Sequence, residues 1–146
     1  MMRLSKLTDY AVVLMVHMGQ SDDDRFTTAR IAEETGVPHP TVAKLLKDLA
    51  RAGLLISVRG AAGGYRLGRT PCEISIAEII QALEGPIALT ACVDGTDDHC
   101  NVENLCGMRG NWNKVNLAIR SALDSVTLAD MAIRPMEFPL PEAARA

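Results

Sequence analysis

Aromatic side chains are scarce: one Trp, two Tyr and two Phe make up 3% of 146 residues. Any core must therefore be aliphatic, and a hydrophobic fraction of 48% can supply one. No stretch reaches the roughly 18 apolar residues that a membrane span requires, so no membrane partner is expected. Internal repeats and low-complexity tracts are missing. So are C-x-x-C, a phosphate-binding loop, G-x-S-x-G and a converging acid/base pair. Neither an enzyme nor a small-molecule substrate is expected. The opening, MMRLSKLTDYAVVLMVHMGQSDDD, places basic residues before an apolar run. His17 interrupts that run and Asp22, Asp23 and Asp24 follow it without a small-residue cleavage site, so it reads as a helix rather than an export signal. A cytoplasmic protein follows, where thiols stay reduced. The four Cys are then expected as ligands, redox centres or buried packing.

Charge is present but unevenly spread. The chain is net −3, yet from Arg25 to Arg69 eight basic residues face three acidic ones, net +5. From Gly85 onward five basic residues face eight acidic ones. A basic middle beside an acidic remainder suggests one surface that meets a polyanion.

The pattern of apolar residues is mainly helical. A first helix is expected from about Ser5 to Gly19, with Leu7, Ala11, Leu14, Met15 and Met18 on one stripe. Thr27 or Thr28 caps a second helix, which turns Ile31 and Ala32 inward and stops at Gly36-Val37-Pro38. A third begins near Pro40 and ends at Gly53. Its Val42, Leu45, Leu46 and Leu49 recur at i, i+3, i+4, i+7 and form a buried face. Lys44, Lys47, Asp48 and Arg51 form a mainly basic face opposite. Two short helices around a Gly-containing turn match the helix-turn-helix plan. In that plan His39, Thr41 and Lys44 reach base edges of double-stranded DNA, Lys47 and Arg51 touch phosphates, and Thr28 is a further DNA-binding candidate.

Leu54 to Val58, a glycine-rich tip over Arg59 to Gly64, and Tyr65 to Leu67 then read as a hairpin, the wing of a winged helix. Arg59 and Arg66 flank its tip and suit phosphate or a minor groove. Winged helices also dock proteins, and that reading stays open. Ser75 to Glu78 is a capping box that opens a helix stopping at Gly85-Pro86.

Cys92, Cys100 and Cys106 form C-x7-C-x5-C in a loop rich in Gly, Asp and Asn. Three sulfurs within fifteen residues suggest soft-metal ligation. The spacing disfavours a zinc knuckle, although His99 could complete a Cys3His set. An iron–sulfur cluster usually takes four ligands, so one is missing from the triplet. Cys72 stands apart after Pro71 and reads as packing. From Gly110 to Asp124 a last long helix carries Trp112, Val115, Ile119, Ala122 and, just beyond, Val126 in a heptad-like seam. Such a seam pairs two subunits or packs on its own domain. Thr127 to Asp130 caps a final short turn, and the Pro-rich end reads as a loose tail.

Taken together, MRLSKLTDYAV, IAEETGV with the Lys-rich helix, VRGAAGGYRLG, ISIAEIIQALEG and the three-Cys loop resemble the iron–sulfur winged-helix regulators represented by IscR, NsrR and RirA. The likeness runs from Met2 to about Ala132. It implies a mostly α, winged helix-turn-helix fold with a small β-hairpin wing and a long C-terminal dimerisation helix. The implied segments are residues 1–84 for DNA binding, 85–108 for the cluster loop, 109–134 for dimerisation and 135–146 for the tail. The resemblance further implies a homodimer on a pseudo-palindromic operator, with a 2Fe-2S or 4Fe-4S cluster held by Cys92, Cys100 and Cys106. In the IscR type a His follows the third Cys by three residues; here Arg109 stands there. In the NsrR type an Asp from the partner's opening helix completes the cluster, and Asp9 stands at that place. Asp9 also reads as an ordinary acid in a helix first turn. The x7 spacing resembles the iron-responsive RirA type, and the opening residues resemble regulators of SUF cluster-assembly genes. The expected function is a repressor sensing cluster or iron status. A zinc or thiol-redox switch at the loop is the alternative.

Overall fold

A computed structural model describes residues 3–61, 63–93, 100–102, 105–108 and 110–132. Expectations on His99, Arg109 and the tail from Pro135 lie outside the described residues. Six α-helices and one antiparallel hairpin are seen among those described: α1 Lys6–Gln20, α2 Thr28–Thr35, α3 His39–Arg51, β1 Leu55–Val58, β2 Gly64–Leu67, a 3-10 turn at Pro71–Glu73, α4 Ile76–Glu84, α5 Asn111–Asp124 and α6 Leu128–Met131. The chain is mostly helical with a small wing, the winged-helix architecture expected from its residues.

The helix boundaries follow from capping chemistry. The Ser5 and Thr27 hydroxyls accept from the amides of Thr8 and Arg30, so each satisfies a donor that the first turn leaves free. Gly36 ends α2 in the left-handed region at φ 73°, and its amide donates to the Ala32 carbonyl at 3.0 Å. Pro38 precedes α3 and Pro40 sits in its first turn, where a missing N–H costs no helix bond. Ser75 with Glu78, and Thr127 with Asp130, are reciprocal capping boxes.

The wing pairs Leu55 with Leu67, Ile56 with Arg66, Ser57 with Tyr65 and Val58 with Gly64. Phe26, from the α1–α2 connection, extends it: Phe26 and Tyr65 exchange backbone hydrogen bonds of 2.9 and 2.8 Å. Gly64 makes that approach possible. A Cβ built there would lie 2.5 Å from the Phe26 carbonyl oxygen, far inside contact distance.

One aliphatic core joins α1, α2, α3, the wing and α4. Leu14, Met15, Ile31, Leu45, Leu46, Leu49, Ile74 and Ile79 are fully buried within it. Each such side chain contributes roughly 1.5–3 kcal/mol relative to exposure. Leu128 of α6 closes the same core, and its amide donates to the Ile74 carbonyl at 2.8 Å. Two expectations need correction. Leu7, expected on the inward stripe of α1, is 39% exposed, and Thr8 is buried in its place. The reason is polar: the Thr8 hydroxyl donates to Glu84 Oε1 at the end of α4, which rotates Leu7 outward. Cys72, expected as packing, is exposed in the 3-10 turn, because Ile74 rather than Cys72 fills the core there.

Candidate nucleic-acid interface and cysteine loop

The expected DNA-facing residues lie on α2, α3 and the wing. Thr28 opens α2 half-buried, His39 is exposed at the start of α3, and Thr41 is half-buried two residues on. Lys44, Lys47 and Arg51 project from the exposed side of α3, and Arg59 and Arg66 are exposed on the wing. Their burial follows from the helical period, since Val42, Leu45, Leu46 and Leu49 occupy the inner face.

Not all of the basic charge is free. Arg30 pairs with Asp23 at 2.6 Å and Glu34 at 2.8 Å, and its guanidinium lies 4.8 Å from the Phe26 ring centroid. His17 of α1 meets the same Glu34 at 2.6 Å. The Arg30 guanidinium, followed by His17, holds the Glu34 carboxyl below its ordinary range. Arg69 pairs with Glu78 at 2.6 Å. On α3, Lys44 Nζ lies 2.8 Å from Asp48 Oδ2 and Arg51 Nη1 lies 3.2 Å from Asp48 Oδ1. Among the described residues, Lys47, Arg59 and Arg66 enter no ion pair. These pairings were not legible from charge counting, which treats every Lys and Arg alike.

The cysteine loop leaves α4 at Gly85. Two fastenings hold its beginning. On one side Glu84 Oε1 accepts from the Ser5 amide at 2.8 Å and from the buried Thr8 hydroxyl. Those two groups hold the Glu84 carboxyl below its ordinary range, with the Thr8 hydroxyl the larger cause. On the other side Asn116, buried in α5, donates from Nδ2 to the Ile87 carbonyl at 2.8 Å. Its Oδ1 accepts from the Leu89 amide at 3.1 Å. Sequence reading missed Asn116. Its only signal was its spacing, three residues before Ile119 and seven before Leu123 on one helical stripe.

Cys92, Cys100 and Cys106 are free and half-buried. Cys92 Sγ lies 3.3 Å from Thr90 Oγ1. The donor set is right in kind for an iron–sulfur cluster: three unpaired thiols in one loop. Among the described residues, however, no three His, Cys, Asp or Glu side chains are gathered closely enough to hold a metal ion. Asp9 is exposed on α1 and lines a shallow groove with Val13, His17, Gln20 and Met131, none of them from its own cysteine loop. Asp9 and the cysteines are thus not brought together within one chain.

On α5, Trp112, Val115 and Ala122 are exposed, with Trp112 at 40% and Val115 at 44%. Ile119 is half-buried in a groove shared with Leu4, Ile80 and Leu123. Val126 packs on the chain's own core. No helix among the described residues is long and apolar enough to cross a membrane.

A helix-turn-helix followed by a hairpin wing, with a cysteine loop and a further helix beyond, defines a winged-helix transcriptional regulator rather than an enzyme. The chain belongs to the Rrf2 family, described as an iron-dependent transcriptional regulator, whose model matches residues 4–134. It is 29% identical over 131 residues to the HTH-type transcriptional regulator NsrR of Bacillus licheniformis, covering 89% of this chain and 92% of that one. Its structure is similar to that of CymR (YrzC), the global cysteine regulator of B. subtilis. There the identity is 31%, the TM-score 0.67, and the coverage 90% of this chain and 97% of that one. It is also similar to T. potens IscR, at 31% identity and TM-score 0.65, covering 98% and 96%.

Proposed function

We propose that this regulator is a cytoplasmic homodimeric repressor whose grip on operator DNA follows the occupancy of Cys92, Cys100 and Cys106 by an iron–sulfur cluster. Genes of iron–sulfur assembly, of the SUF type, or of iron homeostasis are the proposed targets. Carrying this reading is the loop itself: three free thiols in a segment fastened to α1 by Glu84 and to α5 by Asn116. The partner subunit's Asp9 is the proposed fourth ligand, since each chain's own Asp9 lines a groove that none of its own cysteines lines. When bound, the cluster supplies iron centres that draw three thiolates together.

The protein's own residues supply the rest. Asn116 transmits a change in backbone position at residues 87–89 directly to α5. The exposed flank of Trp112, Val115 and Ala122, with Ile119 beside it, is the proposed dimer seam. Movement there changes the separation of the two α3 helices. His39, Thr41 and Lys44 would then meet base edges, while Thr28, Lys47, Arg51, Arg59 and Arg66 hold the backbone. The two α3 helices must sit about 34 Å apart to meet successive major grooves.

Anaerobic native mass spectrometry with a gel shift on the chain's own upstream DNA tests this. We expect a dimer carrying one cluster per subunit, lost on Cys100→Ala, and a changed affinity between loaded and empty forms. A colourless protein after anaerobic reconstitution, with unchanged affinity, overturns it. One observation favours a second reading: the ungathered, half-buried thiols of this loop, in a chain similar to a cysteine regulator, also suit a thiol-redox or zinc switch. Broad absorbance near about 400 nm distinguishes iron–sulfur from either.

A further inference from the structure

We propose that Asp48 is a specificity-determining residue: a carboxylate on the recognition helix that occupies Lys44 and Arg51 in the free protein, competes with phosphate for them, and suppresses attachment to arbitrary DNA. This rests on the DNA-binding reading above.

The geometry is direct. One carboxylate spans both cations, through Oδ2 to Lys44 at 2.8 Å and Oδ1 to Arg51 at 3.2 Å. Asp48 is 21% exposed, whereas Lys44 and Arg51 are 61% and 70% exposed. The anion is therefore recessed beneath two cations that water, or a phosphate, can reach. Around this recess α4 offers Gln81, Ala82 and Leu83, none of them charged, so no second acid shares the task. The Lys44 ammonium, with further help from Arg51 and Lys47, holds the carboxyl below its ordinary range and keeps it ionised at neutral pH.

Helix stability is a weak account of an acid here. Asp48 lies in the last turn of α3, where the helix dipole disfavours negative charge. Of its two pairs, Lys44-then-Asp48 at i, i+4 is in the weaker order and only Asp48-then-Arg51 at i, i+3 is in the favourable one. What the acid does achieve is a conditional surface. A phosphate must displace the carboxylate before Lys44 or Arg51 releases a counterion on its account. A correctly shaped operator, engaged by His39 and Thr41 as well, compensates for that displacement; a random duplex does not.

The test is binding of the full-length protein to its own promoter fragment and to a random duplex of equal length, across a salt series. Asp48→Asn keeps the shape and removes the charge. We expect random-duplex affinity to rise about three- to tenfold and its log–log salt slope to steepen by about 1–2 per chain, as freed cations neutralise phosphates. Promoter affinity should rise less, so the ratio between the two falls. An unchanged slope and ratio overturns the proposal, as does a selective loss of promoter binding, which would make Asp48 a base reader. Should Asp48→Asn not fold, single changes in the wild-type background serve on the random duplex: Lys47→Gln should lower the slope by about 0.9 and Arg51→Gln, whose cation Asp48 occupies, by clearly less. Equal losses overturn the proposal. A wild-type chain that binds neither duplex overturns the DNA reading itself, a result distinct from all of these.

Discussion

The winged-helix part and the segment after Gly85 are held together differently. The first encloses its own core: apart from Leu128, every residue of the main buried cluster lies between Ala11 and Ile80. In the second, large apolar residues face outward, including Val102 at 61%, Leu105 at 94%, Met108 at 54% and Leu117 at 64%. Asn116 is the buried residue of α5, and it is polar. Only the far half of α5, through Ile119 and Leu123, packs apolar side chains on the body. The helix is tethered by hydrogen bonds and leaves its apolar flank for another surface. The winged-helix part is thus a finished unit, and the segment after Gly85 is an unfinished one.

Substitutions can break or sharpen that contrast. The largest effect is expected in the finished unit. Leu46→Ala removes a fully buried side chain from α3 and should cost about 2–5 kcal/mol in urea unfolding. A smaller loss would mean that the core is looser than its burial implies. Asn116→Ala leaves the Ile87 carbonyl and Leu89 amide without their partner and should cost about 1–3 kcal/mol. Faster hydrogen exchange at Leu89 than at core amides would locate the loss, whereas uniform acceleration would refute local tethering. Val115→Glu should change the stability of the dissociated chain by no more than about 0.5 kcal/mol. The same change should raise the dimer dissociation constant in sedimentation. A large fall in monomer stability would show that Val115 packs on its own domain instead.

The smallest effect concerns pH. Because the folded-state pKa of Glu84 is lowered, its contribution is present above the ordinary value of 4.5 and disappears as pH falls through the folded value. Glu84 is exposed, so the contribution is roughly a few tenths of a kcal/mol. Glu84→Gln should flatten the acid limb of the stability curve by that amount. A wild-type limb identical to that of the variant would remove Glu84 as a latch.

Much of the fold was legible in the residues. The period of α3, the spans of α1 and α5, the caps at Thr27, Ser75 and Thr127, and the Gly-rich wing tip all rest on local chemistry, and the structure follows them closely. What escaped was settled by distant neighbours. Thr8 displaces Leu7 from the core because Glu84, far along the chain, accepts its proton. Phe26 joins the wing because Gly64 lets two backbones meet. Asp48 read as one charge on a mainly basic face, although its position between Lys44 and Arg51 decides how much of that charge is spare. The cysteine triplet was legible as thiol donors, and among the described residues nothing gathers them into a metal site.

The bond pair between Phe26 and Tyr65 bears on how such a protein could acquire a new DNA target. It rivets the hairpin to the body, so the hairpin's base cannot swing to suit a wider or narrower groove. In the proposed complex the wing would serve as a fixed gauge rather than a hinged grip. Retuning it would mean exchanging the side chains at the outer tip and on the reading helix, while the rivet and its single tolerated glycine stay as they are.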